Sequence, residues 1–496
     1  MSGHDSAAAS HEKPRGYADP TIFECLGEWS RCMPDEPAFC TYDSNGRPST
    51  RHTYSDLARA VASASGQLQQ HLKQSQTAIL HLPSGFEFAA WFLAGLHAGI
   101  CISPVHPAAT SHELKLSAQR TGASAIIGSN PLPPLCHLTL EGRRSAALDP
   151  DLACKRSITG SVLLQSSGTS GSTKLVRRTE TSLDADARGV ARGMGLERHD
   201  GLLLVVPMSH SYGVDLLVAV VLAGATMHVM NGFELAHVHS LLTSGSITVF
   251  PGVPFMFDAL ARSPTFRPSA DLRLSLSAGS PLPEHIHAGL LSRCGLNVGQ
   301  LYGATELGTV AIDLPQDPGF DPRSVGTPLP GVSVRILCPD NGGVLLASDS
   351  EGEIAVRSPT MLAEYLREPL ELADGHFRTG DLGRLDASGR LYVTGRLKHL
   401  IDVGGLKVNP AEVERVMCEH PEIADCALVP MPLSATIVRL RLLIVPREGA
   451  AFSTDDVRAF ARERLSPYKL PRVFEAVSSL PRTATGKLLR HLLVSS

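Results

Sequence analysis

Residues 77–99 read TAILHLPSGFEFAAWFLAGLHAG, and the two halves have different rhythms. TAILHLP (77–83) is a short apolar run bounded by Pro and Gly, which predicts a buried strand. FEFAAWFLAGLHAG (86–99) is long enough for a helix and stops at a glycine. The alternation continues on both sides. YSDLARAVASASGQLQQHL (54–72) has apolar residues at helical spacing, while CISPVHP (101–107) and ASAIIGS (123–129) read as short strands. LLVVP (203–207) and ITVF (247–250) extend the series. Strands alternating with helices predict doubly wound α/β layers.

VDLLVAVVLAGATMHVM (214–230) is the most apolar later stretch. It carries Asp215 near its start and falls short of the ~18 apolar residues needed to cross a bilayer. It is expected to be a buried core helix, with Asp215 at its N-terminal end. From about residue 325 the texture changes: VGTPLPGVSVRIL, GEIAVRSP and GRLYVTGR are short β-rich runs punctuated by Gly and Pro, which predict a small barrel-like or meander unit. After Arg396 it shifts again. NPAEVERVMCEHP (409–421) and STDDVRAFARERL (453–465) read as helices, with DCALVPMP and VRLRLLIVP as strands between them. The expected organisation is a disordered tail over 1–16, a large layered N-terminal domain over 17–395 and a small mobile α+β domain over 396–496. The large domain is expected to hold two doubly wound α/β subdomains and the small β unit.

Composition narrows the function. The chain has 496 residues, 43% of them hydrophobic, and a formal net charge of −4. No long basic run offers the electrostatic footprint of nucleic-acid binding. The 10 cysteines are scattered with no CxxC pair, so they are read as free thiols of a reducing compartment. With no signal-peptide-like segment and no membrane span, a soluble, cytoplasmic protein is expected.

QSSGTSGSTKLV (165–176) has the small hydroxyl residues, glycines and single lysine of an anion-holding loop. It is not the familiar phosphate loop, because Thr173 stands where that pattern has a glycine before the lysine. Its glycines, Gly168 and Gly171, let the backbone approach an anion, and Ser166, Ser167, Thr169 and Ser170 offer hydroxyls. Four further segments follow in order: LYGATELG (301–308), FRTGDLGRLDASGRLYVTGRLKHLIDVGG (377–405), LSPYKLPR (465–472) and PRTATGKLLR (481–490).

Together the five resemble the signature segments of the adenylate-forming superfamily, which comprises acyl- and aryl-CoA synthetases, peptide-synthetase adenylation domains and luciferase. The resemblance runs from TYSDL (53–57) to the C-terminal lysine. It implies ATP and Mg²⁺ as cofactors. The loop Ser166–Gly171 with Lys174 would grip the β- and γ-phosphates. The family commonly has Lys-Pro-Lys where this chain has Ser172-Thr173-Lys174, so one positive charge is missing. In the segment Tyr302-Gly303-Ala304-Thr305, Tyr302 would stack on adenine and Thr305 would meet the α-phosphate, while Glu306 would hold the metal. Gly279 and Ser280 match the adenine-side loop, and Asp381 and Arg396 match the ribose contacts. Lys487 would bridge the acid carboxylate and the α-phosphate, forming the catalytic set with Glu306 and His210. His399 stands at the hinge, usually Asp or Lys in the family, and reads as a tolerated variant. Gly404 and Gly405 match the wall of the thiol tunnel.

The acid is read from PMSHSYGVD (207–215), which resembles the acyl-pocket segment and places His210, Ser211 and Tyr212 beside the substrate. Amino-acid-activating domains have Asp at the position of Ser211, and a buried ammonium without a carboxylate partner is expensive. Ser211 also differs from the Asn of dihydroxybenzoate ligases. The run STKLVRRT does resemble the aryl-acid pattern, which tilts the reading toward an aromatic or small carboxylic acid. The acceptor is the thiol of coenzyme A or the phosphopantetheine of a carrier protein acting in trans. A non-catalytic nucleotide-binding relative and a luciferase-type oxygenase are the minor alternatives.

Overall fold

The structure is a computed structural model describing residues 19–43, 46–128, 131–139, 159–167, 173–339, 344–362, 364–366, 370, 372–403, 406–432, 438–450, 453–465, 467–483, 486 and 488–493. The expected tail at 1–16 lies outside these residues.

The strand and helix of residues 77–99 form as their composition dictates. Thr77–His81 is a strand buried along its whole length, and Phe86–Ala98 is a helix with ten buried residues that ends on Gly99. The strand is an interior strand of a seven-stranded sheet in the order Glu364–Tyr365, Thr173–Thr179, Ser161–Ser167, Cys101–Pro104, Thr77–His81, Ala125–Gly128, Cys136–Leu138. Its middle is parallel, whereas Thr173–Thr179 joins Ser161–Ser167 as an antiparallel hairpin.

A second sheet has nine strands, in the order Thr327–Pro328, Gly308–Asp313, Val298–Ala304, Leu274–Ala278, Val249–Gly252, Gly201–Leu204, Thr226–Val229, Pro37–Tyr42, Pro48–Thr53. It is parallel through its interior and antiparallel at both edges. Parallel strands need cover on both faces, and one apolar core spans the helices and strands of both sheets. A third, five-stranded antiparallel sheet carries Ser333–Leu337, Gly352–Arg357, His376–Leu385, Leu372–Ala373 and Leu391–Arg396. It is the β-rich unit expected after residue 325.

The expected single helix over 214–230 is two elements. Helix Ser211–Ala223 ends at Gly224, whose φ of 71° is left-handed, and Ala225 N–H reaches back to Val220 O at 3.1 Å. Thr226–Val229 then pairs with Gly201–Leu204 and Pro37–Tyr42. A strand buried on both faces is as apolar as a buried helix, so composition does not separate the two. Asp215 is likewise not in the first turn of that helix.

Beyond Arg396 the chain forms a turn at Leu397–His399, a hairpin of Ile401–Val403 with Leu406–Val408, and a three-stranded sheet flanked by helices Pro410–Met417 and Thr454–Arg464. Its apolar core is separate from the large one. Among the described residues no helix is long and apolar enough to cross a membrane.

Candidate active site

In open parallel sheets, ligands collect outside the carboxyl ends of the strands. Three of the expected segments leave the nine-stranded sheet there. Leu274–Ala278 runs into Gly279 and Ser280, both exposed, and Val298–Ala304 carries Tyr302, Gly303 and Ala304. Gly201–Leu204 leads to His210, the residue that precedes helix Ser211–Ala223.

The ribose-side expectation has clear geometry. Asp381 and Arg396 lie opposite one another across the antiparallel pair His376–Leu385 and Leu391–Arg396. Arg396 Nε stands 2.5 Å from Asp381 Oδ1, and the Tyr302 hydroxyl donates to Asp381 Oδ2 at 2.9 Å. Asp381 N–H in turn donates to Thr379 Oγ1 at 3.0 Å. Burial, reinforced by the Asp381 carboxylate, raises Tyr302 well above the usual phenol range, so it stays a donor. The structure therefore joins residues of two motifs that lie about 80 residues apart in the sequence.

The acid side adjoins this cluster. The Ser211 and Thr305 hydroxyls are 3.4 Å apart, linking the acyl-pocket segment to LYGATELG. The His210 ring centroid is 6.3 Å from that of His106. Desolvation and the neighbouring His106 pull His210 below the usual imidazole range, so it is neutral at pH 7. The Tyr212 hydroxyl is buried and makes no hydrogen bond among the described residues.

On the phosphate side, Ser166 lies opposite Lys174 in the hairpin, and its hydroxyl is buried without a hydrogen-bond partner among the described residues. Lys174 Nζ sits 4.7 Å above the Tyr365 ring, whose hydroxyl donates to Glu306 Oε1 at 3.3 Å. One carboxylate with an adjacent hydroxyl at Thr305 fits Mg²⁺, which takes most of its oxygen shell from water and substrate phosphates. Gly168, Thr169, Ser170 and Gly171 lie outside the described residues, as do Gly404, Gly405 and Lys487. Gly486 is described: at φ +77° it packs so closely on Phe255 that a Cβ there would lie 2.4 Å from the ring. This sets the segment before Lys487 against helix Pro254–Arg262 of the large unit.

Sequence reasoning missed a buried charge cluster behind the site. Arg178 is fully buried and donates to Asp186 at 2.7 Å and to Asp215 at 2.8 Å. Asp186 also accepts from Thr309 N–H at 2.8 Å, just past LYGATELG. One guanidinium thus ties the hairpin of the anion loop to helix Glu180–Gly193, helix Ser211–Ala223 and strand Gly308–Asp313. The available signal was an arginine at an inward-facing strand position, but its partners are distant in sequence.

The expected segments gathered at the strand ends, the Tyr302–Asp381–Arg396 cluster and the smaller C-terminal unit accord with an adenylate-forming enzyme, of the AMP-forming acid–thiol ligase type. The chain belongs to the AMP-binding enzyme family, whose model matches residues 26–366, with the AMP-binding enzyme C-terminal domain matching residues 412–487. It is 30% identical over 487 residues to the 4-coumarate--CoA ligase-like 4 of Oryza sativa subsp. japonica, covering 90% of this chain and 88% of that relative. It is 28% identical to the 2-succinylbenzoate--CoA ligase of Bacillus licheniformis, covering 89% of this chain and 94% of that relative. The fold is similar to ATP bound MatB from Rhodopseudomonas palustris, with a TM-score of 0.82 at 24% identity over 94% of this chain and 98% of that one.

Proposed function

We propose that this chain activates an aromatic or small carboxylic acid with ATP and passes the acyl group to the thiol of coenzyme A. The observation that carries the reading is the junction of Tyr302, Asp381 and Arg396 with the Thr305–Ser211 contact, which sets a nucleotide cradle beside an acid pocket. In the first half-reaction a carboxylate oxygen attacks the α-phosphorus, the bond to the β-phosphate oxygen breaks, and pyrophosphate leaves. Lys487 supplies the positive charge between the two approaching anions. Asp381 accepts the ribose hydroxyls, Arg396 pairs with it, and Lys174 meets the β- and γ-phosphates. Glu306 holds Mg²⁺, which when bound neutralises phosphate charge. In the second half-reaction the thiol sulfur attacks the acyl carbon, AMP leaves, and the thiol proton passes to solvent.

Two observations favour an acid without an α-ammonium. Ser211 offers no counter-charge, and Asp215 is committed to Arg178. The relatives named for 4-coumarate and 2-succinylbenzoate support an aromatic acid. The test is ATP–pyrophosphate exchange across benzoates, cinnamates, short and long fatty acids and amino acids, followed by acceptor trials with CoA and with a phosphopantetheinylated carrier. Exchange with aromatic or small acids and thioester on CoA is expected. Exchange confined to amino acids or long fatty acids would overturn the acid class, and transfer to the carrier alone would overturn CoA as acceptor.

A further inference from the structure

We propose that Tyr365 is a positioning residue for the triphosphate side of the nucleotide site, its ring a shelf for Lys174 and its hydroxyl a donor to Glu306. The inference rests on the ATP-binding reading above and adds a residue that no motif had singled out.

Tyr365 reaches the site because a short strand is stitched there. Glu364–Tyr365 pairs antiparallel with Thr173–Thr179, setting Tyr365 opposite Val176, and Leu366 N–H donates to Leu175 O at 2.9 Å. The side chain is largely buried, at 8% exposure, so its ring has a fixed place. Lys174 Nζ stands 4.7 Å from the ring centroid, within cation–π range. The hydroxyl lies 3.3 Å from Glu306 Oε1, and Leu362 N–H grips the Glu306 carbonyl at 2.7 Å. Leu362 and Tyr365 therefore hold Glu306 at its main chain and at its carboxylate.

The arrangement solves an electrostatic problem. A lysine and a glutamate facing one phosphate site attract each other, and a closed ion pair would have to be broken before ATP could enter. A phenol between them gives each charge a weaker partner that a triphosphate and its metal can displace. With Ser172 where the family commonly has a lysine, this loop depends more heavily on where Lys174 is held.

The test uses the full chain and two variants. Tyr365→Phe keeps the shelf and removes the hydroxyl, and Tyr365→Leu removes both. ATP binding is measured by calorimetry without acid, once with Mg²⁺ and once in EDTA, beside the melting temperature of each protein. Tyr365→Phe is expected to bind ATP about tenfold more weakly with Mg²⁺, the scale of one hydrogen bond to a charged group, and unchanged in EDTA. Tyr365→Leu is expected to weaken binding under both conditions. Wild-type-like binding by both variants, or the same loss for both with no dependence on Mg²⁺, would overturn the proposal, since packing alone has no metal-specific signature. Failure of the wild type to bind ATP would instead remove the nucleotide-site reading on which the proposal stands.

Discussion

Arg178 is one guanidinium shared by two buried aspartates, so full ionisation would leave a net negative charge in the core. Burial, partly offset by Arg178 and reinforced by Asp186, pushes Asp215 up to about 8. An unfolded aspartate titrates near ~3.9. Between those values the folded chain keeps a proton that the unfolded chain has shed, so this group's contribution to stability is present at low pH and lost as pH rises toward about 8. Asp215→Asn should flatten that slope, read from urea midpoints at intervals from mildly acidic pH up to about 8. An identical slope in the variant would show that the proton is held elsewhere. At this scale the sequence was a partial guide. Asp381 and Arg396 were legible because one β-hairpin holds both, whereas Arg178, Asp186 and Asp215 meet only through three separate elements.

The element that bears Lys487 is fastened by its neighbours. Arg490 forms a fork with Glu414 of helix Pro410–Met417, at 2.8 and 2.6 Å, and reaches Leu428 O at 3.2 Å. At the other end Arg482 bonds Asp425 at 2.6 Å and Gly486 O at 2.8 Å. Burial raises Glu414 above the usual carboxylate range despite Arg490, so the pair is sensitive to losing either member. Arg490→Met should slow pyrophosphate release on the order of 10²-fold, the cost of ~1 Å of misplacement, and Arg490→Lys should not restore it because the fork is lost. Single-turnover pyrophosphate release, set beside thioester formation from supplied acyl-adenylate, checks this. An equal fall in both steps would contradict a role in placing Lys487. Most elements were legible from their periodicity and caps. The two-residue strand Glu364–Tyr365 was not, because pairing with Thr173–Thr179 creates it and local composition does not.

At the scale of the molecule, the turn Leu397–His399 separates two apolar cores. Asn409 Nδ2 donates to Thr394 O across it at 3.0 Å, and Gly395 lies directly against Asn409. Gly486 of the C-terminal unit is seated on Phe255 of the large unit. His399→Pro, by stiffening the turn, should spare pyrophosphate exchange and slow thioester formation. Equal rates in both half-reactions would argue that the unit need not rotate. The overall layering was readable from strand–helix alternation, but the strand order was not, because it is fixed by contacts between distant segments.

That order has a consequence for how the chain is made. Strand Pro37–Tyr42 takes its inner partner from Thr226–Val229, about 190 residues later. At ~5–20 residues per second, a ribosome needs roughly 10–40 s to deliver it. During that interval the residues after Thr53 can build six strands of the seven-stranded sheet around Thr77–His81 and Cys101–Pro104, all but Glu364–Tyr365, while the first hairpin waits with one side unpaired. An unpaired strand edge is a site of aggregation, so the nascent chain is most exposed to misassembly, and most in need of a chaperone, before residue 226 has left the ribosome.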